Sequence, residues 1–151
     1  MANSQAMCTS FKGEILSGVH ALGTTVIRAG TGADTLKAAL YLASSSQGAG
    51  TTAYGVSGEV SGTGYSAGGV TITNATAPTT SGTTGYWTPS ASFTYTTVTL
   101  TTAFDAVLVY NSTQSNKAIS VHTFQSQTIT AGTFTLTMPT SDATNALIRI
   151  A

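Results

Sequence analysis

The sequence predicts an all-β protein: an antiparallel β-sandwich of jelly-roll type preceded by one N-terminal amphipathic helix. Three observations predict it. Threonine is the commonest polar residue, and with serine and glycine it supplies 31 Thr, 17 Ser and 16 Gly of 151 residues. Charged residues make up only 7%, against about 25% in ordinary soluble domains. Several segments alternate an apolar residue with a threonine, the pattern of a strand with one buried and one solvated face. Threonine is β-branched and favours strands, and its hydroxyl keeps a face wet without charge.

The elements follow in order. Met7, Phe11, Ile15, Val19 and Leu22 recur at helical spacing, so 4–22 reads as a helix with Ser4 as N-cap and Gly23 at its end. Gly13 and Gly18 weaken it, each by about 1 kcal/mol relative to alanine. A helix this marginal needs a surface to lie on, its own domain or a partner. Residues 1–23 are therefore read as a helical segment, and 24–151 as a single β-domain, which suits a chain that can build one core. Strands are expected at 24–29, 36–43, 56–60, 70–74, 92–100, 106–111, 117–124, 133–138 and 146–150. In 133–138 Phe134, Leu136 and Met138 share one face, and three threonines the other. The polar run 111–116 reads as a hairpin loop, with further turns at 130–132 and 139–142. Segments 44–52 and 74–85 read as long surface loops.

Composition excludes several functions. Five Lys/Arg balanced by five Asp/Glu make a poor electrostatic footprint for nucleic acid. A hydrophobic fraction of 41% argues against disorder. Cys8 has no second cysteine to pair with. No basic-then-apolar leader is visible at the N-terminus, and no apolar run approaches the ~20 residues that span a bilayer, so no membrane association is expected.

Candidate chemistry is sparse. Gly64-Tyr65-Ser66-Ala67-Gly68 is a literal G-x-S-x-G, followed by Asp105 and His122 in the chain order of an α/β-hydrolase triad. That elbow needs a strand before the serine and a helix after it. Here the apolar, β-branched run 70–74 follows, and no β-α alternation exists, so the pentapeptide reads as a glycine-rich turn. Gly62-x-Gly64 and Gly48-x-Gly50 lack the lysine or helix that would cradle phosphate. His20, His122 and Cys8 have no neighbours at metal-ligand spacing. No motif selects a glycosidase pair among the acids. No catalytic residue, metal or cofactor is therefore expected. Tyr86-Trp87 offers either the start of a core strand or a binding platform, the core reading being favoured.

Taken together, Ser10-Phe11-Lys12-x-Glu14-Ile15-Leu16-x-Gly18-Val19-His20, the run from Asp34 to Tyr41, Thr51-Thr52-Ala53-Tyr54, the run from Gly58 to Gly69, the run from Ala106 to Asn111 and the ending from Ser141 to Ile150 resemble a family of small virion structural proteins of tailed bacteriophages, over nearly the whole length. The resemblance implies a non-enzymatic coat component, a decoration or cement protein made in the bacterial cytoplasm and carried on the outer surface of the capsid. Its expected partners are the major capsid protein and further copies of itself, a trimer rather than a dimer. It supplies no catalytic residues. The expected interface residues are Met7, Phe11, Ile15, Val19, Tyr86 and Trp87. Three other readings stand beside it: a tail, baseplate or receptor-binding module, a small serine hydrolase using Ser66, and a secreted carbohydrate-binding domain.

Overall fold

A long β-hairpin organises the chain. In the computed structural model, which describes residues 2–16, 18–23 and 32–151, β1 (Ala6–Met7) leads into α1 (Thr9–Leu16), followed by β2 (Leu36–Leu42), β3 (Val70–Thr71), β4 (Thr79–Ser81) and β5 (Thr84–Trp87). The hairpin is β6 (Phe93–Asn111, 19 residues) and β7 (Lys117–Leu136, 20 residues), and β8 (Ile148–Ile150) closes the order. One sheet runs β1-β7-β6-β2-β3 and the other β4-β5-β8. Every pairing in both is antiparallel, so the protein is all-β, with one short helix among the described residues.

The expected strand pairs 92–100 with 106–111 and 117–124 with 133–138 are each one strand. Four register shifts let β6 and β7 continue through the residues read as breaks, from Tyr95/Val98 to Phe104/Ala106. Residues 130–132 are therefore not a turn. They form a bulge inside β7, where three residues of β7 advance against two of β6 and Ala131 takes φ 48°. The hairpin loop lies where expected, after Asn111, with Ser115 and Asn116 at φ 52° and 60°. A polar residue in that left-handed region is the usual solution for a tight connection.

Four expectations change, the first being the surface loop read at 74–85, which holds β4 and the start of β5, paired with each other. The helix covers 9–16, not 4–22. Upstream, Met7 pairs with Ser120 and the Cys8 N–H donates to Ile119 O, which holds the chain extended to the edge of the sheet. Downstream, Gly18 at φ 66° donates to Ile15 O and ends the helix. Residues 56–60 form a turn rather than a strand: Gly58 takes φ 78° and Val56 is 72% exposed. β3 keeps only the first two residues of 70–74. The strand expected at 24–29 lies outside the described residues.

The core sits on the loop end of the hairpin. Ala106, Val107, Leu108, Val109 and Tyr110 are all buried, as are Ala38, Ala39, Leu40 and Tyr41 of β2. Both sheet faces are covered there, which is why these strands are continuously apolar rather than alternating. Toward Phe93 the covering thins. Thr94, Thr96, Thr133 and Thr135 are exposed, while Tyr95, Phe104 and Phe134 turn inward. Phe104 packs edge-on against Phe124 and Phe134, at centroid distances of 5.8 and 5.1 Å.

Candidate interaction surface

Two regions singled out in the sequence meet in space. Phe11 and Ile15, one turn apart on α1, line an apolar groove of about 310 Å³ together with Tyr86, Trp87, Ile148 and Ile150. The helix is set down here by β1 on one side and Gly18 on the other. β5 is set down by its pairing with β8, which aligns Trp87 with Ile148 and Gly85 with Ile150. Phe11 is fully buried and packs edge-on against His20 at 4.7 Å. Trp87 is 2% exposed, and its indole N–H donates to Thr76 O at 3.3 Å. These two rings form the floor, in line with the core reading of Trp87. The rim is the accessible part: Ile15 and Tyr86 are half-buried, and Ile150 is 49% exposed. The rim thus presents an outward isoleucine beside a half-buried tyrosine.

Met7 and Val19 do not join the groove. Met7, on β1 rather than the helix, lines a separate cavity of about 510 Å³. Val19 lies beyond the helix end and is half-buried. The single stripe expected from Met7 to Leu22 is thus split among strand, helix and turn, because the pairing of β1 with β7 takes precedence over a helix of low propensity. Leu22, the last residue of the expected stripe, lines the groove as well, whereas His20, Pro78 and the two C-terminal isoleucines were not expected at this surface. Their convergence depends on how β8 returns to β5, which no local pattern announces.

The hydrolase constellation does not assemble. Ser66 is exposed, and Gly64, Gly68 and Gly69 take φ 78°, 89° and 69° around it, a glycine turn as expected. Asp105 accepts from the Asn3 amide. His122 shares a 2.8 Å hydrogen bond with Ser120. Burial lowers the His122 pKa to about 4, so its ring is neutral at pH 7.

A third cluster was missed in the sequence. Glu59, buried under the loop 51–69, accepts hydrogen bonds from Tyr54 Oη (2.6 Å), Tyr65 Oη (2.7 Å) and the Gly68 N–H (2.7 Å). Tyr41, Tyr95 and Tyr110 donate to Gly55 O, Ala38 O and Gly68 O. Tyr54 stacks on Tyr110 at 4.6 Å. Burial pushes the Tyr41 and Tyr110 phenols up to about 12, with the Glu59 charge adding to it. Burial and the Glu59 hydrogen bond push Tyr54 and Tyr65 up, and burial raises Tyr95. A phenol that resists ionisation is a poor acid catalyst but a durable donor, so the cluster works as a clamp for the loop. The sequence signal was there: Glu59 is followed by no Asp, Glu, Lys or Arg until Asp105.

Among the described residues no group of three His, Cys, Asp or Glu side chains is placed to hold a metal, and no helix is long and apolar enough to cross a membrane. The chain matches no protein-family model, no curated protein and no solved structure. Fold and surface together define a class: an all-β protein whose best-formed contact feature is an apolar surface groove.

Proposed function

We propose that this chain is a non-enzymatic virion structural protein of a tailed bacteriophage, a decoration or cement protein that binds the major capsid protein lattice from outside as a symmetric homo-oligomer, a trimer rather than a dimer. The observation that carries the reading is the groove in which α1 and β5 come together, with Ile15, Tyr86 and Ile150 at an accessible rim. The reading also rests on the resemblance of the sequence segments to phage virion proteins. In it, the five- and three-stranded sheets are the two layers of a jelly-roll sandwich, and the N-terminal segment docks against them.

The mechanism is adhesive. Each copy covers a junction between capsid subunits, and the buried area opposes outward pressure from the packaged genome. Many copies on one lattice gain avidity from weak individual contacts. Contacts built from apolar and hydroxyl groups respond weakly to salt, because few ion pairs are there to be screened.

The test is binding of the purified protein to expanded capsids that lack it. Saturable binding and greater resistance of the capsids to heat are expected, with weaker binding by Ile150→Asp, a change at an exposed site. Capsids that neither bind the protein nor gain robustness would overturn the reading. Density confined to a tail ring in a particle reconstruction would replace it with the tail-module reading.

A further inference from the structure

The larger cavity has no part in the proposed adhesion. It lies between the hairpin and the segment that returns from β7 to β8. Its volume of about 510 Å³ far exceeds a packing defect and falls within the ~300–1,000 Å³ of small-molecule sites. One wall is apolar, formed by Phe93, Val107, Leu136, Met138 and Ile148. The same sheet face carries Ser120 and His122 of β7, with His122 directly across from Val107 in the register. At the mouth stand Asn145 and Arg149.

One cation, Arg149, stands among the polar groups of the lining. His122 uses Nε2 on the Ser120 hydroxyl at 2.8 Å, and among the described residues its Nδ1 has no protein partner. Arg149 is exposed, and one of its N–H groups donates to Ala143 O at 3.4 Å, which leaves most of the guanidinium fork for a ligand. Asp142, the nearby acid, accepts from the Thr144 and Asn145 N–H groups, each at 2.7 Å, and its charge also acts on Arg149.

We propose that this cavity binds a small monocarboxylic acid, its apolar body against Phe93, Leu136 and Met138 and its carboxylate at the mouth beside Arg149. The charge then stays next to water and a cation, which avoids the cost of burying it unpaired. The apolar body gains what the cavity walls lack at present, namely packed neighbours.

Octanoate is the probe, with octylamine as its opposite-charge counterpart, and binding is followed by calorimetry and by the Met138 methyl resonance. Octanoate is expected to bind saturably at millimolar concentration or below, to shift the Met138 methyl, and to outcompete octylamine. Arg149→Gln, at an exposed position, is expected to weaken octanoate about tenfold without changing the circular dichroism spectrum. Val107→Phe is expected to occupy the cavity and abolish binding. If that variant fails to fold, Met138→Phe narrows the same space from a half-buried position. Equal binding of octylamine, an Arg149→Gln affinity equal to that of the native protein, or no saturation at millimolar octanoate would each overturn the assignment. Capsid binding by Arg149→Gln is expected to be unchanged, so the two proposals fail separately.

Discussion

The two ends of the β6–β7 hairpin are built from the same strands and behave as different materials. Near the hairpin loop, residues 106–111 face 117–123 inside a five-stranded sheet, with β2 on one flank and β1 on the other. Toward Phe93 the same pair becomes a ribbon. Among the described residues, the outer flank of β6 is closed there by the loop around Thr63, through the Thr99 N–H to Thr63 O bond of 2.9 Å. Gly62 and Gly64 permit that approach: a Cβ on either would come within 2.0 or 2.2 Å of a β6 carbonyl oxygen. The outer flank of β7 has no strand beside it among the described residues beyond Val121.

That comparison teaches how an uncharged edge differs in shape from the flat edges that pair with other strands. Between Lys117 and Asp142 there is no Asp, Glu, Lys or Arg, and β7 contains no proline, so the usual guards are missing. Bulges take their place. The register shifts around Phe104 and Gly132 bend the exposed edge out of the flat geometry another strand would need.

The comparison can be broken by substitution. The largest effects are expected where both faces are covered. Leu108→Ala and Val109→Ala point to opposite faces of β6, and each should cost about 2–5 kcal/mol in denaturant unfolding, toward the lower end for valine. In the ribbon only one face should matter: Phe134→Ala is expected to cost about 3–5 kcal/mol, and Thr135→Ala less than about 0.5 kcal/mol. A Thr135→Ala loss as large as that of Val109→Ala would show that the ribbon's outer face is covered too.

Next comes the clamp over the covered end. Glu59→Ala strands two phenol hydroxyls and the Gly68 N–H, and a loss of about 3 kcal/mol is expected. Glu59→Gln retains an acceptor and should lose about 1 kcal/mol. Since the tyrosines keep their protons longer in the folded state, stability is expected to fall as pH rises above 10, where unfolded phenols ionise and the buried ones do not. For Tyr41 and Tyr110 the fall continues to about pH 12. Difference absorbance of tyrosinate against unfolding midpoint checks it.

His122 gives the acid-side counterpart. Its folded pKa is lowered to about 4, below the ~6.5 of an unfolded histidine. From pH 6.5 down to about 4 the unfolded chain takes up a proton that the folded chain refuses. Stability is therefore full above pH 6.5 and declines through that window, by roughly 3 kcal/mol at most. His122→Gln should flatten this slope in urea titrations at a series of pH values. The smallest effect is expected at the bulge: Ala131→Gly relieves a positive φ and should leave stability within about 1 kcal/mol of the parent, on the stabilising side.

The strands with alternating faces were legible. Phe134, Leu136 and the threonines between them announce a half-buried strand, and the structure has one. The glycine turn around Ser66 was legible too, since the context of a nucleophile elbow was missing. The joining of 92–100 to 106–111 was not, because Thr101, Thr102 and Ala103 carry no signal that distinguishes an irregular strand from a loop. The groove was half legible. Phe11, Ile15, Tyr86 and Trp87 stood out as apolar or aromatic residues, but Ile148 and Ile150 join them only because β8 pairs with β5.

By itself, the order of residues determined what short-range physics can decide: β-rich alternation, a hairpin after Asn111, glycine turns, and a chain with few ionisable groups to place. Tertiary structure alone decided the length of the hairpin strands, the start of the helix only at Thr9, and the meeting of α1 with β5. Each of these depends on contacts between segments tens of residues apart. The free energy of such contacts comes from burial and shared hydrogen bonds, and a local window of sequence contains only one partner of each.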